Sequence, residues 1–279
     1  MGWRPVREGR DVTEEHVHNG WVVQESGPSD AGHAVLLLPG ALASAPFYDD
    51  VLAQPALTGT SVRFVATTLP GYGGTPAPAD ATMESCARGA GKLAGDFGCD
   101  VVVGHSVGAN VALEMAAAGE FSGPLVLLSP SFSRKDESKF PRTLDRLGRV
   151  LGDLPYTLML KMIGPAMKGN LPPERRDTLI AELKKNDPHV VRRSTRLYLD
   201  YLDRHGSLVQ RLCDSGATAW VVFGERGDVG LTDDERRELK ACARVTLVTI
   251  PGTGHFALND KPARVAKVVL EAVSSLASR

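Results

Sequence analysis

Short apolar runs alternate along this chain with longer helical patterns, and this alternation restricts the possible folds more than any other feature of the sequence. Several runs are continuously apolar, as expected for strands buried on both faces of a mostly parallel sheet. The runs that predict strands cover residues 20–25, 34–38, 62–67, 101–103, 125–128, 219–223 and 245–250. The patterns that predict helices between them cover residues 83–97, 107–118, 233–242 and 262–276. The sequence therefore predicts an α/β fold, a doubly wound and mostly parallel sheet with helices on both faces.

One segment interrupts this alternation. Residues 131–213 contain no convincing strand pattern and carry helical patterns over 143–151, 156–167, 173–185 and 190–212. A helical insertion between two strands of a parallel sheet lies over the carboxyl edge of the sheet, where such sheets bind their ligands. We therefore expect a core domain made of residues 1–130 and 214–279, with residues 131–213 inserted in it as a helical lid.

A Gly-x-Ser-x-Gly motif follows one of the buried runs. Three valines lead into Gly104-His105-Ser106-Val107-Gly108, and a helical stretch rich in small residues comes next. Strand, sharp turn and helix in direct succession are the context of a nucleophilic serine. The glycines suit so tight a turn because side chains at the flanking positions would obstruct it. Ser106 is therefore the first candidate for a nucleophile, and an inert turn serine is the alternative interpretation.

The charge balance gives no reason to expect a charged macromolecule as a partner. The 279 residues carry a formal net charge of −1, so neither nucleic acid nor an anionic membrane is favoured electrostatically. No stretch approaches the roughly 18 apolar residues of a membrane span. We expect a small-molecule substrate, and the oligomeric state stays open.

Several weaker signals predict a cytoplasmic, bacterial protein without a cofactor. The N-terminus is charged and lacks the apolar run of a signal peptide. His16 and His18 have no third metal ligand at a suitable spacing, so we expect no metal. The 22 arginines against 10 lysines suggest a GC-rich source. The cysteines show no CxxC spacing, and we expect all four to be thiols in a reducing compartment: Cys86, Cys99, Cys213 and Cys242.

Four further motifs come directly after predicted strands. They are Leu38-Pro39-Gly40-Ala41, Leu69-Pro70-Gly71-Tyr72-Gly73-Gly74, Gly224-Glu225-Arg226-Gly227-Asp228 and Gly252-Thr253-Gly254-His255-Phe256. Together with the Ser106 motif, and in this order, they resemble the motifs of the α/β-hydrolase fold family over essentially the whole chain. The resemblance implies an esterase-like member with a serine nucleophile and a lid.

The roles that serine catalysis requires can be assigned along the sequence. A serine hydroxyl needs a base within hydrogen-bond reach, and the base needs a third group that orients it. Ser106, Asp228 and His255 supply these roles in the order that this fold uses. The backbone N–H groups of Ala41 and Val107 lie where the fold builds its oxyanion hole.

The acid is the least certain member of this triad. The family usually has the acid three residues after the glycine that ends the strand, but here that position is Gly227 and the carboxylate of Asp228 follows one residue later. Glu225 is the nearest alternative acid, and Asp136, after an earlier strand, is a second alternative. If Asp228 has no catalytic role, it is a solvated aspartate in a surface loop.

The predicted lid is expected to select the substrate. Its second helical pattern is rich in methionine and other apolar residues, which make an adaptable wall. Packing of this helix against the core is an equally good interpretation. The candidate substrate-binding residues are Tyr156, Met159, Met162, Ile163 and, outside the lid, Phe256.

Three functions remain compatible with these observations. The first is hydrolysis of a carboxylic ester, thioester or lactone with an apolar part, through an acyl-enzyme. The second is cleavage of a carbon–carbon bond, or perhydrolysis, by the same triad. The third is a catalytically silent ligand-binding protein. Relatives that open epoxides use an aspartate at the nucleophile position, so Ser106 argues against that reaction.

Overall fold

The computed structural model describes residues 15–166, 173–226 and 230–278, with only the backbone for 163–166 and 278. Within these ranges eight strands form one sheet: β1 (His16–His18), β2 (Trp21–Ser26), β3 (His33–Leu38), β4 (Val62–Thr68), β5 (Val101–His105), β6 (Leu125–Leu128), β7 (Ala219–Gly224) and β8 (Val245–Ile250). Their spatial order is β1-β2-β4-β3-β5-β6-β7-β8. β2 runs antiparallel to β1 and β4, and the other neighbours are parallel. The predicted mostly parallel sheet is confirmed.

Helices cover both faces of this sheet. Those outside the helical segment between β6 and β7 are α1 (Asp49–Leu52), α2 (Pro55–Thr58), α3 (Met83–Asp96), α4 (Val107–Ala117), α10 (Asp233–Ala241), α11 (Ala257–Asp260) and α12 (Pro262–Ser274), with 3₁₀ turns at Ala45–Tyr48 and Ser275–Ser278. In the three described ranges, no helix is long and apolar enough to cross a membrane.

The continuous apolar runs produce two cores, one on each face of the sheet. Successive side chains of a strand point to opposite faces, so Leu36 and Leu38 of β3 enter the core that contains α3 and α4. Val35 and Leu37 enter the core under α12. All four side chains are almost completely buried, and each contributes about 1.5–3 kcal/mol through removal of its apolar surface from water.

Five helices lie between β6 and β7, counting the described residues. They are α5 (Lys139–Leu151), α6 (Leu154–Ala166), α7 (Pro173–Leu183), α8 (Pro188–His205) and α9 (Leu208–Asp214). The helix predicted over 190–212 is thus divided into α8 and α9. The division lies at Gly206, whose φ of 63° places it in the left-handed region that ends a helix.

The expectation of four thiols is wrong for two of the cysteines. Cys213 at the end of α9 forms a disulfide with Cys242 after α10, 29 residues away in sequence. The sequence gives no spacing signal for this pair, because only the packing of α9 against α10 brings the two residues together. Cys86 and Cys99 are free, and burial raises the pKa of each thiol to about 12.

Candidate active site

The turn at Ser106 is strained and closely surrounded by backbone. Ser106 joins β5 to α4 with φ 52° and ψ −120°, a conformation that costs a non-glycine residue about 1–3 kcal/mol. A Cβ at Gly104 would collide with the Gly108 carbonyl, and one at Gly108 would collide with the Leu38 carbonyl. The glycine requirement inferred from the motif therefore has a direct steric cause. The hydrogen bond from Ser106 N–H to the Leu128 carbonyl, at 2.8 Å, fixes the turn to β6.

The loop after β3 lies directly against this turn. A Cβ at Gly40 would be 2.9 Å from the His105 Nδ1 and 3.2 Å from the Ser106 Cβ, so a larger residue here would require its neighbours to shift. Leu42 in the same loop has a φ of 67°, another strained backbone. Asn186, which is almost completely buried, donates a 2.9 Å hydrogen bond from its amide to the Leu42 carbonyl. Asn186 also fixes the loop after β4, because Gly73 N–H in that loop donates to the Asn186 Oδ1 at 3.0 Å.

The loop after β8 brings His255 to the same place. The backbone carbonyl of His255 accepts a hydrogen bond from the His105 Nε2 at 3.0 Å and another from the Ser129 hydroxyl at 3.3 Å. The imidazole rings of His105 and His255 are 4.9 Å apart. The ring of Phe256 is 5.1 Å from that of His255. The histidine loop is therefore attached to the residue that precedes Ser106.

His105 is a neutral side chain in this arrangement. Burial, reinforced by the neighbouring His255, lowers the pKa of His105 to about 3. A carbonyl oxygen can only accept a hydrogen bond, so the Nε2 of His105 carries the proton. His105 thus acts as a fixed N–H donor over the whole ordinary pH range.

Four of the residues singled out from the sequence line one cavity of about 360 Å³: Ala41, Ser106, His255 and Phe256. The other described lining residues are Gly40, Leu42, Ala43, Ser44, Phe47, His105, Leu179, Glu182 and Leu183. Most of this lining is apolar. Ser106 and His255 therefore border the same largely apolar space.

Helix α7 forms one wall of this cavity, which the sequence reasoning missed. Leu179, Glu182 and Leu183 come from α7. Arg175 fixes this helix to α1 and to the 3₁₀ turn before it. Its guanidinium donates to the Asp50 carboxylate of α1 at 3.0 Å and to the Pro46 carbonyl of the turn at 2.7 Å. The sequence shows Arg175 only as one of two adjacent arginines, and only the fold shows that it is buried.

The described side chains of helix α6 do not line this cavity. Tyr156 is completely buried in the core beside α4, and Met159 packs against that core. Met162 is 68% exposed, and the side chain of Ile163 lies outside the described residues. None of the described lining residues of the cavity comes from α6, which contacts α5, α7 and α8. Val107 begins α4 and is among the residues that line a different cavity.

The three candidate acids lie in different surroundings. Asp228 lies outside the described residues. The exposed Glu225 accepts a 2.8 Å hydrogen bond from Gly252 N–H in the loop before His255. Asp136 is buried and accepts hydrogen bonds from the backbone N–H groups of Phe132 and Ser133 at 2.7 and 3.0 Å.

Comparison with known proteins identifies the family. The model of the alpha/beta hydrolase family matches residues 35–268, most of the chain. The protein belongs to the alpha/beta hydrolase family. No curated protein matches the sequence of this α/β hydrolase.

Solved structures share the fold of this α/β hydrolase at low sequence identity. An esterase from Exiguobacterium antarcticum is 16% identical with a TM-score of 0.72, and the match covers 91% of this chain and 95% of that one. A thermophilic esterase from Thermogutta terrifontis is 18% identical with a TM-score of 0.69, covering 95% and 98%. An epoxide hydrolase is also 18% identical, with a TM-score of 0.72 and coverage of 95% and 100%. Such likeness shows the fold, and the reaction has to be argued from the site.

Proposed function

We propose that this α/β hydrolase is a serine hydrolase that cleaves a carboxylic ester, thioester or lactone with an apolar acyl or alcohol part. The observation that carries the proposal is that Ser106, on its strained turn, and His255 line one largely apolar cavity. The family and the esterases among the structural neighbours support hydrolysis as the class of reaction.

In the proposed mechanism the imidazole of His255 takes the proton of the Ser106 hydroxyl as the oxygen attacks the substrate carbonyl. The negative charge on the carbonyl oxygen is stabilised by the backbone N–H groups of Ala41 and Val107. His255 then gives the proton to the leaving alcohol or thiol, and an acyl group stays on Ser106. Attack by water, with His255 again as the base, releases the acid.

We assign the orienting carboxylate to Asp228. Support comes from the start of its loop, which is hydrogen-bonded to the histidine loop: Arg226 N–H donates to the Thr253 carbonyl at 2.8 Å. Residues 225 and 226 therefore run beside the segment that precedes His255. Glu225 stays the alternative acid, although its carboxylate already accepts the Gly252 N–H.

The cavity supports a substrate of moderate size. A space of about 360 Å³ lies at the lower end of the range for small-molecule sites. Its apolar walls, to which Leu42, Phe47 and Phe256 contribute, favour an apolar group beside the scissile bond. In this proposal residues 131–213 act as a lid, since α7 closes one side of the cavity.

Two measurements test the proposed function. A fluorophosphonate probe should label the wild-type protein covalently and should not label Ser106→Ala. A series of p-nitrophenyl esters from acetate to dodecanoate should be hydrolysed, with the highest kcat/KM at a medium chain length. A wild-type protein that neither reacts with the probe nor hydrolyses any ester would instead be a ligand-binding member of the family.

The acid is tested by matched amide variants. Asp228→Asn should lower kcat by several orders of magnitude, because an amide in this place no longer stabilises the protonated imidazole. Glu225→Gln should lower kcat less than tenfold. The reverse pattern would transfer the role of the acid to Glu225.

A further inference from the structure

One acidic side chain lies in the wall of the otherwise largely apolar cavity. Glu182 of α7 is the only aspartate or glutamate among its described lining residues, and its side chain is 17% exposed. The buried Ser44 on the opposite loop donates its hydroxyl to the Glu182 Oε2 at 2.9 Å. The carboxylate is therefore fixed in position at the wall of the space into which Ser106 opens.

The carboxylate has acceptor capacity left for a ligand. Two carboxylate oxygens offer about four lone-pair sites. Ser44 uses one of them, and Lys185 uses another through a 2.7 Å contact from its Nζ to the Oε1. Lys185 is about half exposed, with 49% of its side-chain surface accessible. Because the Lys185 ammonium lies at the water-accessible end of this pair, it can move into solvent when a cationic ligand takes its place beside Glu182.

We propose that Glu182 selects substrates that carry a positively charged group. This inference rests on the proposed function and specifies its substrate class: an ester that is apolar around the scissile bond and bears an ammonium group elsewhere on the molecule. A cation that enters an apolar cavity loses its hydration and requires a compensating charge. Glu182 supplies that charge within the cavity, where the low polarity of the walls strengthens the attraction.

The test compares ester pairs of equal shape that differ in one charge. Butyrylcholine and 3,3-dimethylbutyl butyrate carry the charge difference in the alcohol. The p-nitrophenyl esters of 6-aminohexanoate and heptanoate carry it in the acyl group. We expect kcat/KM to be about tenfold higher for the cationic member of at least one pair, the size typical of one partly desolvated charge pair. In Glu182→Gln this ratio should fall to about one.

Two variants, one in α7 and one just after it, distinguish recognition of the cationic group by Glu182 from a general effect of the net charge of the protein. Lys185→Gln should raise the ratio of cationic to neutral kcat/KM several-fold, because it removes the competing cation. Asp177→Asn changes the net charge by the same amount as Glu182→Gln, but Asp177 is exposed, with 72% of its side-chain surface accessible. This variant should keep the wild-type ratio.

Binding to Ser106→Ala distinguishes a failure of this inference from a failure of the proposed function. Calorimetric titration of Ser106→Ala with the choline pair, and with the amides of the acyl pair, measures affinity without turnover. The inference holds if one cationic member binds about tenfold more tightly and Glu182→Gln in the same background abolishes the difference. Equal affinities within both pairs, or a preference that survives Glu182→Gln, would overturn it, whereas absent hydrolysis by the wild type would overturn the proposed function alone.

Discussion

The Nε2 of His105 lies 3.0 Å from the backbone carbonyl oxygen of His255, although 150 residues separate them in sequence. This hydrogen bond attaches the histidine loop to the residue before Ser106. Both the neutral ring protonated at Nε2 and the imidazolium donate from this atom, so the bond persists at every pH at which an esterase is assayed. His105 is thus a positioning residue in the proposed mechanism, and it holds the main chain of the base in place.

Removal of this hydrogen bond should lower turnover more than binding. We expect His105→Leu to lower kcat by about ten- to a hundredfold, since a small displacement of a catalytic group costs about that much, with KM changed less than threefold. His105→Gln places an amide N–H near the position of the Nε2 and should recover much of the activity. Steady-state kinetics with a p-nitrophenyl ester would measure both.

The pH profile provides the control for this variant. A neutral His105 contributes no titration between pH 5 and 9, so the shape of the kcat/KM profile should be the same in His105→Gln and in the wild type. Ser129→Ala, which removes the longer 3.3 Å bond to the same carbonyl, should have a smaller effect. A loss in His105→Leu that appears only in KM would assign His105 to substrate binding instead.

Asn186 should be required for the strained loop that contains Ala41. Its amide donates to the Leu42 carbonyl at 2.9 Å, and Leu42 has a φ of 67°. Asn186→Asp keeps an acceptor for Gly73 N–H but loses this donor. We expect kcat to fall about tenfold and the free energy of unfolding to fall by about 1–3 kcal/mol, the cost of a buried group without its partner.

The role of Asn186 is tested by comparing kcat with the rate of fluorophosphonate labelling. If the loop supplies an oxyanion donor, the rate of fluorophosphonate labelling of Asn186→Asp should fall together with kcat, because the phosphonyl oxygen needs the same donor. Normal labelling in a variant with reduced thermal stability would show that Asn186 supports folding alone.

The features that could be predicted from the sequence are those that local sterics determine. The turn at Ser106 follows from Gly104 and Gly108, since the backbone approaches closer than a Cβ allows. The strands follow from continuous apolar runs. Strand β2 was predicted over residues 20–25 but β1 was not, although the Asn19-Gly20 pair between them is a local signal for a hairpin. Both residues adopt positive φ, as expected for a type I′ turn.

Features that depend on the packing of distant elements were not predictable. The pattern of α7 shows Leu179 as apolar, but only the fold places Glu182 beside Ser44, 138 residues earlier in the chain. The methionine-rich α6 had the stronger composition signal for a pocket, but none of its described residues lines this cavity, and composition does not show which helix of a segment borders a cavity. The Cys213–Cys242 pair illustrates the same limit.

The disulfide should contribute measurably to stability. It joins the end of α9 to the end of α10 across 29 residues, and a loop of this length corresponds to about 2–4 kcal/mol in the chain-entropy description. The double variant Cys213→Ser/Cys242→Ser should have a free energy of unfolding lower by this amount, and it should therefore unfold at a lower denaturant concentration. Dithiothreitol should lower the wild-type midpoint and leave that of the double variant unchanged. Equal midpoints for both proteins without reductant would show that the bond is not formed in solution.

The pH dependence of stability should contain a term from Asp136. Burial and the neighbouring Glu235 raise the pKa of the Asp136 carboxyl to about 7. Although burial opposes its ionisation, hydrogen bonds from Asp136 and Thr232 lower the pKa of Glu235. Asp136 therefore holds a proton in the folded protein between about pH 4 and 7, where an unfolded aspartate has lost it.

The sign of this term follows from proton linkage. Because the folded state binds more protons in this window, stability falls as the pH rises through it, by at most about 1.4 kcal/mol per pH unit. The lowered pKa of Glu235 changes stability in the opposite direction, but this change is complete once the pH exceeds the unfolded glutamate pKa of about 4.3. Between pH 5 and 8 the pH dependence of stability from this pair therefore comes mainly from Asp136. Asp136→Asn keeps an acceptor for Phe132 N–H and has no charge to lose. Urea unfolding at pH 5, 6, 7 and 8 should show a steeper decline for the wild type than for this variant, and parallel curves would contradict the raised pKa of Asp136.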